Sequence, residues 1–172
     1  MDLLNQKGQY FNEKEYKLVS VAALIHDLGH SISSHLFDDW LNETGSADIV
    51  LLSSPGGNDA LQGLPYSQAV SNINSIIDIL QADNPNITII VEQMAPGRSD
   101  IMTPELTDFF DQMQSEVLNI ATSQTTSTSL VIAIDMFTGF NDGLLADDVH
   151  YNEAGADFIA TRYYDTIINV LE

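Results

Sequence analysis

Three stretches of the chain hold residue types that could do chemistry. Asp147-Asp148-Val149-His150 sets a carboxylate three residues before an imidazole. That carboxylate can fix the imidazole tautomer and stabilise the imidazolium, as the Asp of a hydrolytic triad does for its His. Gly56-Gly57-Asn58-Asp59 sets an amide behind two glycines. The glycines permit a tight turn and close approach of backbone to a ligand. The Asn58 amide can donate to an oxyanion. The third stretch, Ala22 to His35 (AALIHDLGHSISSH), contains three of the chain's four histidines together with Asp27. His26, Asp27, His30 and His35 are sound ligand types for a divalent transition metal. Each stretch also has a plainer reading. A Gly-Gly-Asn-Asp run is most often only a turn, Asp-x-x-His often only caps a helix, and Ser31 can simply cap the helix behind it.

The first two stretches gain weight from the elements expected to position them. Asp48 to Ser53, Asn86 to Met94 and Leu130 to Met136 are apolar runs of strand length, rich in β-branched residues. Such runs suit a parallel sheet buried on both faces. Helical patterns lie between and after them. Val70, Ile73, Ile77 and Leu80 share one face. Leu106, Phe109, Met113, Val117 and Ile120 share another, entered through Thr103 as N-cap and Pro104 at the first helical position. Ala156, Ile159, Ala160, Tyr163, Ile167, Val170 and Leu171 form the last stripe. Alternating strands and helices imply an α/β domain, three-layer α/β/α with a parallel sheet. Ligands of open sheets bind beyond the carboxyl ends of the strands, which is where the Asn58 and His150 stretches fall. Leu18 to Ile25 (LVSVAALI) fits either a first strand or a buried helix, so that first strand is present, replaced or lacking. Ser33 to Asn42 reads as a short amphipathic helix, and Gln124 to Ser129 as a loop.

Composition narrows the function further. The chain has 172 residues, the size of one domain, and carries 25 acidic against 5 basic residues, a net charge of −20. A phosphate backbone would be repelled, so no nucleic acid partner is expected. No apolar run approaches the roughly 20 residues that a membrane helix needs. Cysteine is absent, which excludes disulfides and thiol nucleophiles. Lys7, Lys14 and Lys17 all lie in the first 17 residues, and no lysine follows. The expected division is therefore an arm at 1–17 and a domain at 18–172. Met1 to Tyr16 has no apolar segment of the signal-peptide kind. The acidic surface suits a secreted or salt-adapted protein better than a cytoplasmic one.

From about Gly29 to Glu172 the chain resembles the SGNH/GDSL family of serine esterases, and most of all the branch that removes acetyl groups from plant polysaccharides. Gly56-Gly57-Asn58-Asp59 is similar to that family's third block. Asp147-Asp148-Val149-His150, followed by Tyr-Asn-Glu-Ala-Gly, is similar to its last. Gly29-His30-Ser31, with Trp40-Leu41-Asn42 and the Asp48 strand, is similar to the second block and its downstream strand. The resemblance implies hydrolysis of short-chain acyl esters, such as acetylated saccharides, without cofactor or metal. His150 would be the general base, Asp147 its orienter and Asn58 an oxyanion donor. The family's Gly-Asp-Ser nucleophile block is absent from the chain. Ser31 is the candidate for that role, because Gly29-His30-Ser31 would stand beyond the carboxyl end of a Leu18 strand. The alternative is a non-catalytic fold that binds a ligand or partner, with an exposed sheet edge favouring a homodimer. The Ala22 to His35 window is also similar to the HD-domain metal phosphohydrolases, which would make His26, Asp27, His30 and His35 metal ligands.

Overall fold

A computed structural model describes residues 48–171, excepting the Leu171 side chain. The arm at 1–17, the Leu18 to Ile25 segment, the Ser33 helix, Ser31 and the whole histidine-rich window lie outside the described residues. Three strands form one parallel sheet in the order β1 (Ile49–Leu52), β2 (Thr88–Gln93) and β3 (Leu130–Asp135). The register sets Leu52 against Val91 and Gln93 against Asp135. Each strand sits within the run expected for it.

Strand residues alternate between two cores, because successive side chains point to opposite faces. Val50, Leu52, Ile89, Val91 and Val131 pack under two helices on one face. These are α2 (Tyr66–Asp83) and α3 (Pro104–Gln124), which join consecutive strands. The short helix α1 (Gly57–Leu61) adds Ala60 to the same core. Ile49, Leu51, Ile90 and Ile134 face the other way, onto α4 (Glu153–Leu171). The three-layer arrangement is therefore present. Side chains such as Ile77 and Met113 are fully buried. Each contributes about 1.5–3 kcal/mol by leaving water.

Helix α3 begins as its sequence implies. Thr103 accepts the Leu106 N–H at 3.3 Å and Pro104 stands at the start. Two stripes differ in detail from the expected ones. In α2, Ala69 is buried and Val70 only half-buried. In α4, Ala156 and Ala160 are exposed, while Gly155 is buried and Phe158 and Arg162 are half-buried. Alanine is small enough for either face and gives little directional signal. What sets the rotation of α4 is Gly155, where a Cβ would lie 2.1 Å from the Leu144 carbonyl oxygen.

The link from β1 to α1 is a tight turn. The Gly57 N–H donates to the Ser54 carbonyl at 3.0 Å, across Pro55 and Gly56. Gly56 has φ 82° and ψ −1°, the third position of a type II turn. A Cβ there would come 2.9 Å from Met113 Cε. Gly63 has a similar φ of 67° with open space around it. Gly56→Ala is therefore expected to lower the urea midpoint more than Gly63→Ala does. Both variants bear a left-handed backbone cost of about 1–2 kcal/mol. Only the first must also displace Met113. Equal midpoints would show that Met113 moves aside freely.

Candidate active site

The segment after β3 folds into a closed loop that presents Asp147 and His150. Asn141 accepts the Gly143 N–H at 3.0 Å and starts a short 3₁₀ turn, Asp142–Leu144. Leu145 and Tyr151 then pair as an antiparallel bridge, with the Ala146 N–H donating to the His150 carbonyl at 2.7 Å. Asn152 fastens the base of the loop. Its amide donates to the Gly143 carbonyl at 2.8 Å and the Leu145 carbonyl at 3.2 Å. Its side-chain oxygen accepts the Gly155 N–H at 3.0 Å, which caps α4. Asn152 and Gly155 thus have defined structural work in the Tyr-Asn-Glu-Ala-Gly run.

Within this loop the expected pair is formed. His150 Nδ1 lies 2.8 Å from Asp147 Oδ2 and 3.0 Å from Oδ1. A carboxylate only accepts, so Nδ1 carries the proton, and Nε2 is the ring nitrogen that would receive one. Asp147 Oδ1 also accepts the N–H groups of Val149, at 3.0 Å, and His150, at 2.8 Å. These two backbone donors, and then the imidazole, hold the Asp147 carboxyl at about 2, below the ordinary 3.8. A depressed carboxyl contributes stability that is present above its unfolded value and is lost as pH falls through the folded one. Asp147 is exposed, so solvent screening keeps the effect small. Wild type and Asp147→Asn should differ in urea midpoint above about pH 4, and the gap should narrow as pH falls toward about 2. A gap independent of pH would mean that the charge contributes nothing.

The loop between β2 and α3 clamps this segment from the side. The Arg98 N–H donates to the Asp148 carbonyl at 2.8 Å. The Arg98 guanidinium reaches the Asp148 carboxylate at 2.5 Å. Ser99 Oγ donates to Asp142 at 2.5 Å. Behind the loop, the Arg162 guanidinium donates to the Asp135 and Thr138 carbonyls and lies over the Phe158 ring at 4.4 Å.

Asn58 is the second residue of α1 and is half-buried. Among the described residues, none takes its side-chain amide in a hydrogen bond. It stands beyond the carboxyl end of β1, as His150 stands beyond that of β3. Asn58, Asp147 and His150 therefore share the carboxyl edge of the sheet. Ser31 and the His26, Asp27, His30 and His35 window lie outside the described residues. Among the described residues, no three histidines or carboxylates are grouped to hold a metal ion. No helix among them is long and apolar enough to cross a membrane.

One residue at this edge was not singled out from the sequence. Glu92, the penultimate residue of β2, is 0% exposed. Its Oε2 accepts the Ser54 N–H at 2.7 Å and Ser53 Oγ at 3.1 Å. Burial raises its pKa above the ordinary value. Tyr151 and Tyr163 face it. Burial first, and then the Glu92 charge, push the Tyr151 phenol up to about 12 and Tyr163 well above its usual range. The signal was a lone carboxylate in the otherwise apolar run Ile89-Ile90-Val91-Glu92.

Solved structures share this fold. A carbohydrate esterase family 3 protein from Talaromyces cellulolyticus superposes with a TM-score of 0.67 at 20% identity, covering 85% of this chain and 67% of that one. A serine-to-alanine mutant of an acetyl esterase, crystallised with acetate ion, superposes with a TM-score of 0.69 at 21% identity and the same coverage. The fold is SGNH-hydrolase-like. No protein-family model and no curated protein sequence matches the chain. At these identities the likeness concerns the SGNH-hydrolase-like fold alone. The Asp147–His150 loop and the Asn58 turn lie beyond the carboxyl ends of the strands, the side on which open α/β sheets generally take ligands.

Proposed function

We propose that the chain is a serine-type hydrolase of short-chain acyl esters, with acetylated saccharides as the substrate class. The observation that carries this reading is the bond from His150 Nδ1 to Asp147 at 2.8 Å, on the edge that also holds Asn58. His150 Nε2 takes the proton of the nucleophilic hydroxyl as its oxygen bonds to the acyl carbon. The carbonyl oxygen becomes an oxyanion, and the Asn58 amide donates to it. The same proton then passes from Nε2 to the departing alcohol, leaving an acyl-enzyme. Water, activated by His150, hydrolyses that ester and returns the free hydroxyl. Ser31 is the nucleophile in this reading, and residues 18–172 form the working domain.

Two measurements test it together. The first is release of nitrophenol from 4-nitrophenyl acetate and of acetate from an acetylated xylo-oligosaccharide. The second is labelling with a fluorophosphonate, followed by peptide mapping. Activity with a label on Ser31 that vanishes in Ser31→Ala is expected. Activity with the label elsewhere would transfer the role to another serine. No label and no hydrolysis would leave a non-catalytic fold. Stoichiometric metal lost in His26→Ala would favour the phosphohydrolase-like reading of residues 22–35.

A further inference from the structure

The oxyanion half of the proposed site hangs from Glu92 through a short chain of hydrogen bonds. The Glu92 carboxylate accepts the Ser54 N–H at 2.7 Å. The Ser54 carbonyl accepts the Gly57 N–H at 3.0 Å, and Gly57 opens the helix that carries Asn58. Ser54 itself has φ 44°, a conformation rare for a residue with a side chain, so something must hold it there. The carboxylate does that work from the neighbouring strand, and it also faces Tyr151, the residue after His150.

Stability alone is a weak reason for a carboxylate at this position, since the same bonds come with a buried charge. Glu92 Oε1 and the Tyr163 hydroxyl are both buried and face each other, but outside ordinary hydrogen-bond geometry. A buried charge with one oxygen unmatched is costly, and an apolar side chain of similar size often stabilises such a site. We propose that Glu92 is a positioning residue: its buried carboxylate fixes the Ser54 turn and so sets the Asn58 amide where the oxyanion forms. This rests on the esterase reading above.

The test uses Glu92→Leu and Glu92→Gln in the full chain. Glu92→Leu should still fold, with a urea midpoint lowered at most modestly as the Ser54 N–H and Ser53 Oγ lose their acceptor, and should lose about 10²-fold in kcat with little change in KM, the scale of a small misplacement of a catalytic group. Glu92→Gln keeps an acceptor for Ser54 and should stay within about tenfold of wild type. In an Asn58→Ala background the loss from Glu92→Leu should nearly vanish, because the two changes remove one effect. Full kcat in Glu92→Leu, or a loss undiminished in that background, would overturn the proposal. Amide hydrogen exchange supplies a reading independent of catalysis. In Glu92→Leu the Gly57 amide should lose at least about tenfold protection while Val117 and Ile120 keep theirs. Unchanged Gly57 protection overturns the positioning role. Lost Gly57 protection in a chain whose wild type hydrolyses no ester keeps the role in the turn, and the esterase reading alone fails. If Glu92→Leu does not fold, the same exchange and cycle measurements on Glu92→Met decide, because methionine also removes the acceptor for the Ser54 N–H while keeping an unbranched chain. Full Gly57 protection in that variant overturns the proposal.

Discussion

His150→Ala is expected to lower ester hydrolysis by roughly 10⁴ to 10⁶-fold, the scale of losing a triad base. The fold should survive, because the His150 side chain is 61% exposed. The loop around it is closed by backbone bonds and by Asn152, none of which uses the imidazole. The expected result is therefore an unchanged urea midpoint with hydrolysis near background. Wild-type turnover in this variant would remove the serine-hydrolase reading.

Asp147→Asn is expected to cost about 10⁴-fold, and no more than His150→Ala. The geometry says why. Asp147 Oδ1 is held by the N–H groups of Val149 and His150, which need an acceptor. In asparagine the amide oxygen must take that place. The amide nitrogen then falls where Oδ2 was, 2.8 Å from His150 Nδ1. An N–H pointed at Nδ1 forces the ring proton onto Nε2, the wrong tautomer for a base. Nitrogen NMR of the ring should show the proton exchanged between the two positions. Activity within tenfold of wild type, with the ring proton still on Nδ1, would mean that the carboxylate does not orient the imidazole.

Much of the fold was legible in the sequence because strand and helix periodicities differ. The runs at Asp48, Asn86 and Leu130 each contain an observed strand, and Thr103-Pro104 marks the start of α3. The rotation of α4 was less legible. Its alanines suit either face, and its packing follows from one glycine against the Leu144 carbonyl, a contact with no periodic signature. Asp147 and His150 were legible as a pair because their partnership is local, three residues apart. The role of Glu92 was hidden because its bonds reach across 38 and 39 residues to Ser54 and Ser53. No spacing rule announces such a contact. A lone acid in an apolar strand shows only that something must receive it. Ser31 and its surroundings lie outside the described residues.

The closed loop after β3 carries its own scaffolding. The hydrogen bonds among residues 143–156 span nine residues at most, and the clamps from Arg98 and Ser99 are added from outside. Such a block can be inherited, or transplanted between sheets, nearly intact. Its hydrogen bonds use none of the strand side chains, and its contact with the sheet core runs through Tyr151. The Asn58 turn is different, since its shape is tied to a side chain on another strand. The two halves of the edge therefore tolerate change unequally: the base travels with its sequence, while the turn depends on what the neighbouring strand retains.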